Sequence, residues 1–230
     1  MKISPIRTRI FRESDDLTAF ITAHIPSLQD GDVLAVTSKI VALSEGRTAV
    51  LNNPSTKDAL IREESTFALP TRHVWLTITN GMLMPNAGID ESNADGKLIL
   101  LPRDSFRSAR VLRRRLGRHF GIRHLGILIT DSRTLPMRSG VTGVALGYAG
   151  FRGLRDERGK QDIFGRRFVY TRVNVADGLA AAAVLTMGET HERCPLAIIE
   201  DANVAFQNRI HKDELAIPAE EDMYAPILDI

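Results

Sequence analysis

The sequence predicts an α+β protein built around a mixed β-sheet, and three observations support this. Short apolar runs typical of buried strands, such as residues 33–36 and 125–130, alternate with helical patterns. Strand-like segments also follow one another directly, as in residues 74–84, which is typical of hairpins rather than of a doubly wound sheet. A chain of 230 residues with 43% hydrophobic content can bury a core as one large domain or as two intertwined lobes.

The N-terminal part predicts helices around a buried strand. Ser14 is a candidate N-cap for the first helix, which has apolar residues on one face. A strand over residues 33–36 and a short helix over 39–44, closed by Gly46, come next. Residues 55–64 predict a surface helix. The apolar residues of the first helix are Leu17, Phe20, Ile21 and Ile25.

The next part predicts a hairpin followed by a tight bend. Strands over residues 74–78 and 82–84 flank an Asn-Gly turn at 80–81. The chain then bends through residues 86–88, where Gly88 suits a positive φ or a close approach to a ligand. A strand over residues 97–101 follows.

Asp104 begins an arginine-rich helix. Its inward face is expected to consist of Phe106, Ala109, Leu112 and Leu116. Such a basic face could bind nucleic acid or acidic groups, but a solvated face with one or two arginines turned into a site is the preferred interpretation. The chain-wide charge is nearly balanced, and no aromatic residues are interleaved with the arginines. These arginines are Arg107, Arg110, Arg113, Arg114, Arg115 and Arg118.

The C-terminal half alternates strands, loops and one alanine-rich helix. From residue 201 the pattern weakens into an acidic tail with room for one more helix. The predicted elements before it are a strand buried on both faces over residues 125–130, a loop over 136–140, a glycine-punctuated strand over 143–151, a charged loop over 156–167, a strand over 167–175, a helix over 178–187 capped by Asp177, and a last strand over 194–201.

Composition excludes several classes of protein. Thirty basic residues against 28 acidic residues give a formal charge of +2, which indicates no particular polyanionic partner. Cys194 is the one cysteine, so the chain cannot form an internal disulfide and a reducing cytoplasm is expected. We expect Cys194 to be a small buried hydrophobic residue. The N-terminus has no apolar signal-peptide region, and no segment is apolar enough to suggest a membrane span.

Oxygen-bearing side chains lie at the ends of several predicted elements. Asp90 and Asn93 follow the bend, Asp131 and Ser132 end a buried strand, and Glu189 follows the alanine-rich helix. Hard oxygen ligands at separate element ends fit magnesium or manganese handling a phosphate. The alternative is a surface turn in which Asp90 and Asn93 only cap local backbone groups.

Ser38 and Lys39 are predicted at a helix N-terminus, where free N–H groups and the helix dipole favour an anion. The alternative is a capping serine beside a solvated lysine. The standard nucleotide and hydrolase motifs are absent: no P-loop, Gly-x-Gly-x-x-Gly or Gly-x-Ser-x-Gly occurs. The six histidines show no paired spacing, which argues against zinc.

Taken together, these residues resemble the gamma-glutamyl ligases of the deazaflavin coenzyme F420. The matching segments run in order through GDVLAVTSKIVALSEGR, NAGIDESN, ILITDS, PMRSG, RGKQDIFGR and VADGLAAAAVLTMGE. They cover roughly residues 5 to 200. The combination of NAGIDESN, ITDS and the late alanine-rich helix is specific, although no single segment would suffice.

The resemblance implies a ligase that joins L-glutamate to a carboxylate acceptor. GTP or ATP phosphorylates the acceptor, and the glutamate amine then attacks the acyl phosphate. The implied fold is α+β with mixed sheets in two intertwined lobes over residues 1–200, followed by an acidic tail over 201–230. Family members are homodimers, and a membrane or nucleic-acid partner is not expected.

The resemblance also implies residue roles, with two magnesium or manganese ions. Asp90 and Asp131 become candidate catalytic residues through the metal that they share. The implied roles are Asp90 and Asp131 as ligands of one ion, Ser132 and Glu189 as ligands of the second, Ser38, Lys39 and Asn93 as nucleotide contacts, and Met187 and Gly188 as part of a backbone segment, 187–194, that shapes the nucleotide pocket.

Four positions depart from the family's usual pattern, and three of them lie in the region between Arg133 and Gly143 that is expected to contact the acceptor. Leu43 stands where a second lysine is usual, Leu135 and Met137 replace an arginine and a tryptophan, and Gly143 replaces a common aspartate. Glutamylation of another acceptor, such as a folate-like pterin, is therefore a second possibility. A non-catalytic nucleotide- or RNA-binding protein on the same scaffold is the alternative from a different class.

Overall fold

A computed structural model describes residues 1–13, 15–51, 54–224 and 226. The strands are β1 (Lys2–Ile6), β2 (Val33–Thr37), β3 (Thr48–Val50), β4 (Phe67–Pro70), β5 (Trp75–Thr79), β6 (Met82–Pro85), β7 (Lys97–Ile99), β8 (Gly126–Thr134), β9 (Val141–Ala149), β10 (Leu154–Asp156), β11 (Arg172–Asn174) and β12 (Leu196–Glu200). The α-helices are α1 (Leu17–His24), α2 (Ser38–Ser44), α3 (Pro54–Glu63), α4 (Ser105–Phe120) and α5 (Val175–Met187). Short 3-10 helices span Asn86–Gly88 and Ala219–Glu221.

A mixed five-stranded sheet forms the centre of the fold, which confirms the predicted α+β class. Its strand order is β1-β12-β2-β8-β9. β2 and β8 are parallel, whereas the other neighbouring strands in this sheet are antiparallel. Smaller antiparallel groups are formed by β3 with β7, by β4, β5 and β6, and by β10 with β11. The predicted turn at Asn80 and Gly81 joins β5 to β6, and both residues have positive φ.

Helices cover both faces of the central sheet. Alternate residues of β2 point into different cores, because successive strand side chains face opposite sides. Leu34 and Val36 pack in the core that contains the buried faces of α1 and α4. Val33 and Ala35 pack in the core that contains α5. The three buried alanines of α5 allow it to approach the sheet closely.

Helix caps differ from the sequence prediction in two places. Ser14 lies outside the described residues, and Asp16 caps α1 by accepting a hydrogen bond from Ala19 N at 2.7 Å. The prediction that Asp177 caps the alanine-rich helix is wrong. Asn174 caps α5, while the Asp177 carboxylate accepts a hydrogen bond from the backbone of Ala145 in β9 at 2.9 Å. Asp177 thus ties the first turn of α5 to the sheet.

Strand predictions failed mainly for short edge elements. β1, β3, β4 and β10 have three to five residues and were not predicted. The strand predicted over residues 167–175 is confined to Arg172–Asn174, because β11 pairs with β10 and with no larger sheet. Residues 97–101 were predicted as one strand, but β7 ends at Ile99.

The segment after Asp201 packs on the body of the protein. Phe206 forms an isolated β-bridge with Phe151. The Glu214 carboxylate accepts hydrogen bonds from the Tyr148 hydroxyl at 2.5 Å and from Gly153 N at 2.6 Å. The proposed boundary between a ligase domain over 1–200 and a tail over 201–230 stays a prediction. Within the described residues, no helix combines the length and apolarity needed to cross a bilayer.

Candidate active site

A cavity of about 1150 Å³ opens at the edge of the central sheet where β2 ends. Its wall combines residues 8–13, the first turn of α2, residues 90–97, the middle of β8, and residues 187–195 after α5. We call it the site cavity. Because these segments are distant in the sequence, the cavity exists only in the folded chain.

Asp90 is delivered by the bend that the sequence predicts. Ala87 and Gly88 have φ values of 55° and 72°, and a Cβ at Gly88 would lie 2.7 Å from the Leu101 side chain. Asp90 then forms a β-bridge with Ile99. Glycine is therefore required at position 88 both by the backbone angle and by the close approach.

The Asp90 carboxylate is held by local donors and by one distant cation. Ser92 donates its backbone N–H to Asp90 Oδ1 at 2.7 Å and its hydroxyl to Oδ2 at 2.9 Å. Lys39 Nζ, in the first turn of α2, lies 2.7 Å from Oδ2. Burial raises the pKa of Asp90, but hydrogen bonds from Lys39 and Ser92 outweigh it, so the pKa lies below its ordinary value.

Asp131 lies on β8 immediately after the last residue paired with β2. β8 itself continues to Thr134, paired with β9, so Asp131 is not the end of the strand as predicted but marks the end of the parallel pairing. Burial raises the pKa of Asp131 to about 7, and the nearby charges of Asp90 and Glu189 act in the same direction. Its Oδ1 accepts a hydrogen bond from Ser132 N at 2.9 Å.

Glu189 enters the site cavity from the turn after α5. Gly188 has a φ of 82°, and a Cβ there would lie 2.4 Å from the Glu192 carboxyl carbon. The Ser132 hydroxyl donates to Glu189 Oε2 at 3.3 Å, which joins the two predicted ligands of one ion. Burial raises the pKa of Glu189. Met187 is buried and, like Gly188, lines the cavity.

The donor set of the site cavity suits a cation. Asp90, Asp131 and Glu189 are close enough to influence one another's charge, and within the described residues only Asp90 has a basic partner at ion-pair distance. Burial is the main cause of the raised pKa values of Asp131 and Glu189, and the carboxylate of Asp90 adds to both. Among the described residues, however, no three acidic, histidine or cysteine side chains are grouped tightly enough to form a ready-made metal site. A cation would thus need further oxygen ligands, such as phosphate.

Two predicted nucleotide contacts behave differently. Asn93 lines the site cavity and donates through Nδ2 to the Thr190 carbonyl at 3.1 Å, so it connects the two turns that carry Asp90 and Glu189. Ser38 is buried and is not among the residues that line the cavity. Its role as a nucleotide contact stays a prediction.

Sequence reasoning missed one whole wall of the cavity. Arg9 and Arg12 line it from the segment before α1, and Arg193 lines it from the turn after α5. Thr8 N donates to the Arg193 carbonyl at 2.9 Å and joins the two segments. The basic character of residues 7–12 was the only sequence signal. Cys194, expected to be buried, is partly exposed and also lines the cavity.

The four departures have different structural settings. Leu43 lines the site cavity one helical turn after Lys39. Leu135 and Met137 are exposed and do not line it. A Cβ at Gly143 would lie 2.3 Å from the Ala180 carbonyl oxygen, so no side chain fits between β9 and α5. The packing of α5 against β9 therefore leaves no room for an aspartate side chain at position 143.

Comparison of the sequence with known proteins gives consistent matches over most of the chain. The model of the family described as F420-0:Gamma-glutamyl ligase matches residues 5–201. A protein named coenzyme F420:L-glutamate ligase from Methanopyrus kandleri is 38% identical over 218 residues, covering 86% of each chain. Proteins of the same name from Archaeoglobus fulgidus and Methanocaldococcus jannaschii are 34% and 31% identical, covering 93% and 86% of this chain and 92% and 86% of their own.

Proposed function

Because the chain belongs to the F420-0:gamma-glutamyl ligase family, we propose that it is an enzyme that joins L-glutamate to an acceptor carboxylate through an amide bond. The reaction consumes GTP or ATP. The acceptor is a deazaflavin precursor of coenzyme F420, in line with the names of its relatives, or a folate-like molecule.

One observation carries this proposal. Three carboxylates from three separate elements, Asp90, Asp131 and Glu189, line one cavity together with the ammonium of Lys39. Phosphoryl transfer needs many charges neutralised around a polyphosphate, and little covalent chemistry from the protein. A large cavity with oxygen donors on one wall and arginines on another is suited to that task.

The proposed reaction has two steps. An acceptor carboxylate oxygen attacks the γ-phosphorus, the bond to the β-phosphate oxygen breaks, and nucleoside diphosphate leaves. The glutamate amine then attacks the acyl carbon of the resulting acyl phosphate. Inorganic phosphate departs and the nitrogen loses a proton, which completes the amide.

The protein's residues bind and orient the reactants in this proposal. Asp90 and Asp131 would hold one magnesium or manganese ion, and Ser132 and Glu189 would hold a second. When bound, the ions neutralise the phosphate charge that moves during the transfer. Lys39 and the cavity arginines supply further positive charge. The nucleotide contacts that we propose are Ser38, Lys39, Asn93, Met187 and Gly188.

The experiment that tests this function offers both acceptors side by side. Purified protein is incubated with nucleotide, manganese, L-glutamate and either the deazaflavin precursor or a reduced folate, and the products are analysed by mass spectrometry. We expect glutamylated product with at least one acceptor and none with Asp131→Asn. If the protein binds nucleotide but glutamylates neither acceptor, the proposal is contradicted.

A second candidate function rests on α4. Arg107, Arg110, Arg114 and Arg118 are exposed, lie on one ridge of the helix, and have no ion-pair partner among the described residues. Such a ridge is compatible with a nucleotide- or RNA-binding protein that retained the scaffold. RNA binding that falls steeply with added salt, without glutamate-dependent phosphate release, would favour this alternative.

A further inference from the structure

Three oxygen atoms surround the ammonium of Lys39 at the wall of the site cavity. Nζ lies 2.7 Å from Asp90 Oδ2, 3.0 Å from the Ser92 carbonyl oxygen and 3.0 Å from the Ser92 hydroxyl oxygen. A carboxylate, a carbonyl and a hydroxyl are the oxygen donors that hard divalent cations take from proteins. The three oxygen atoms are thus already occupied by a positive charge, the ammonium of Lys39, which belongs to α2.

The oxygen atoms are fixed before any cation arrives. The Ser92 backbone N–H and hydroxyl both donate to the Asp90 carboxylate, at 2.7 and 2.9 Å, and so set its orientation. The β-bridge between Asp90 and Ile99 anchors the same turn. Only the long lysine side chain has rotatable bonds that allow it to leave without refolding the turn.

We propose that Lys39 is a built-in counter-ion of Asp90, which a divalent cation must displace before the site can work. This inference rests on the proposed function and deepens it. Lys39 is a positioning residue here: in the free protein its ammonium holds the Asp90 carboxylate, and on loading it transfers to the phosphates that enter with the cation.

Electrostatic repulsion between the two cations favours the exchange. A magnesium or manganese ion bound to Asp90 Oδ2 at about 2 Å would lie roughly 4 Å from an ammonium on the same oxygen. The two positive charges would repel strongly in a partly buried site. Among the described residues, no basic side chain lies at ion-pair distance from Asp131 or Glu189, whereas the Lys39 ammonium is already paired with the Asp90 carboxylate.

The exchange couples the cation to the nucleotide. A cation arriving alone would leave the displaced ammonium without a partner in a partly buried position, which weakens binding. A nucleotide phosphate offers the ammonium a new partner and removes this cost. Leu43, four residues after Lys39, supplies no second cation on this side of α2. We therefore expect the free protein to bind divalent cations weakly.

Manganese binding measured by electron paramagnetic resonance, without nucleotide, tests the inference. Lys39→Met removes the ammonium and keeps the side-chain length. We expect this variant to bind Mn²⁺ about 10- to 100-fold more tightly than wild type, the range in which side chains around metal ligands alter affinity. The double variant Lys39→Met with Asp90→Asn should lose that gain.

Two controls keep the result specific. Lys57→Met removes an ammonium paired with Glu91, the neighbour of Asp90, and should leave Mn²⁺ affinity unchanged. Lys39→Arg keeps the positive charge and should bind Mn²⁺ as weakly as wild type. If Lys39→Met does not fold, Lys39→Gln serves as the neutral variant with the same expectation.

The outcomes separate this inference from the proposed function. Equal or weaker Mn²⁺ binding by the folded neutral variants, in protein whose wild type glutamylates an acceptor, would overturn the role of Lys39 alone. Absence of both Mn²⁺ binding and glutamylation from wild type and variants would overturn both. A tighter neutral variant with an unchanged Lys57→Met control would support the exchange.

Discussion

The carboxyl group of Asp131 reports the electrostatics of the site cavity. Burial raises its pKa from an ordinary 3.8 to about 7. In the folded protein Asp131 therefore keeps its proton at pH values where the unfolded chain has lost it. Folding then takes up a proton in this window, so the free energy of unfolding falls as pH rises.

This reasoning gives a stability prediction for the metal-free protein. With chelator present, thermal stability should decrease as pH rises from about 4 to about 7, the interval between the two pKa values. Asp131→Asn should flatten the decrease, because the amide does not titrate. Melting curves across this pH range provide the measurement. An unchanged slope in the variant would show that another group, such as Glu189, is responsible.

Gly143 gives a second prediction at the scale of one residue. A Cβ at this position would lie 2.3 Å from the Ala180 carbonyl oxygen, so Gly143→Ala should destabilise the protein by about 1–3 kcal/mol. Gly178→Ala is the matched control in α5, since nothing lies within 4 Å of its Cβ. The control should be neutral or stabilising by about 0.5–1 kcal/mol. Urea unfolding distinguishes the two, and equal effects would contradict the packing argument.

The sequence was enough to propose Asp90, Asp131 and Glu189 as candidate site residues, which line one cavity, but it did not predict their contacts. Asp90, Asp131 and Glu189 were recognised because each follows a turn, a strand pairing or a helix end, which are local patterns. The bond between Lys39 and Asp90 joins positions 51 residues apart, and that between Ser132 and Glu189 joins positions 57 apart. Such pairs depend on how strands are ordered in the sheet, which residue spacing does not encode.

At the scale of elements, long periodic patterns were predicted well and short edge strands were not. α4 begins after Asp104 as expected, because Asp104 accepts the Arg107 N–H at 2.8 Å and the apolar spacing continues for four turns. β1 is a five-residue edge strand that contains Pro5, and only its pairing with β12 makes it a strand. Whether such a short segment becomes a strand therefore depends on its pairing in the folded chain and not on its local sequence.

The exposed ridge of α4 leads to a prediction about this helix. Arg110 lies three residues after Arg107 and four before Arg114, so its neighbours on the ridge repel it. Arg110→Glu should replace both repulsions by attractions and raise the free energy of unfolding by about 0.5–1 kcal/mol. Arg110→Ala should give a smaller gain. Destabilisation by both variants in urea would mean that Arg110 has a structural partner.

At the scale of the whole molecule, the hairpin over residues 154–174 exposes several large apolar side chains. Ile163, Phe164 and Tyr170 are 92%, 88% and 90% exposed. Gly159 N donates to the Phe168 carbonyl and Phe168 N to the Lys160 carbonyl, each at 2.9 Å, which makes a two-stranded ribbon. An isolated ribbon is only marginally stable in water. We propose that a second copy of the chain covers it in a homodimer.

Light scattering tests this dimer. Wild type should have twice the 25.4 kDa mass of one chain. Phe164→Glu should shift the mass toward that of the monomer, because it would place a charge where the dimer buries an aromatic ring. Val50→Glu, at an exposed apolar residue outside the hairpin, should leave the mass unchanged. A wild-type monomer at micromolar concentration would contradict the proposal.

We propose that the cavity lined by Asp90, Asp131 and Glu189 activates an acceptor carboxylate as an acyl phosphate. The most direct measurement uses an acceptor labelled with ¹⁸O in its carboxyl group and follows the label by mass spectrometry. We predict one ¹⁸O atom in the inorganic phosphate released per amide formed, and neither labelled phosphate nor amide with Asp131→Asn. Amide formation with unlabelled phosphate, or with the label in a nucleoside monophosphate, would contradict this account.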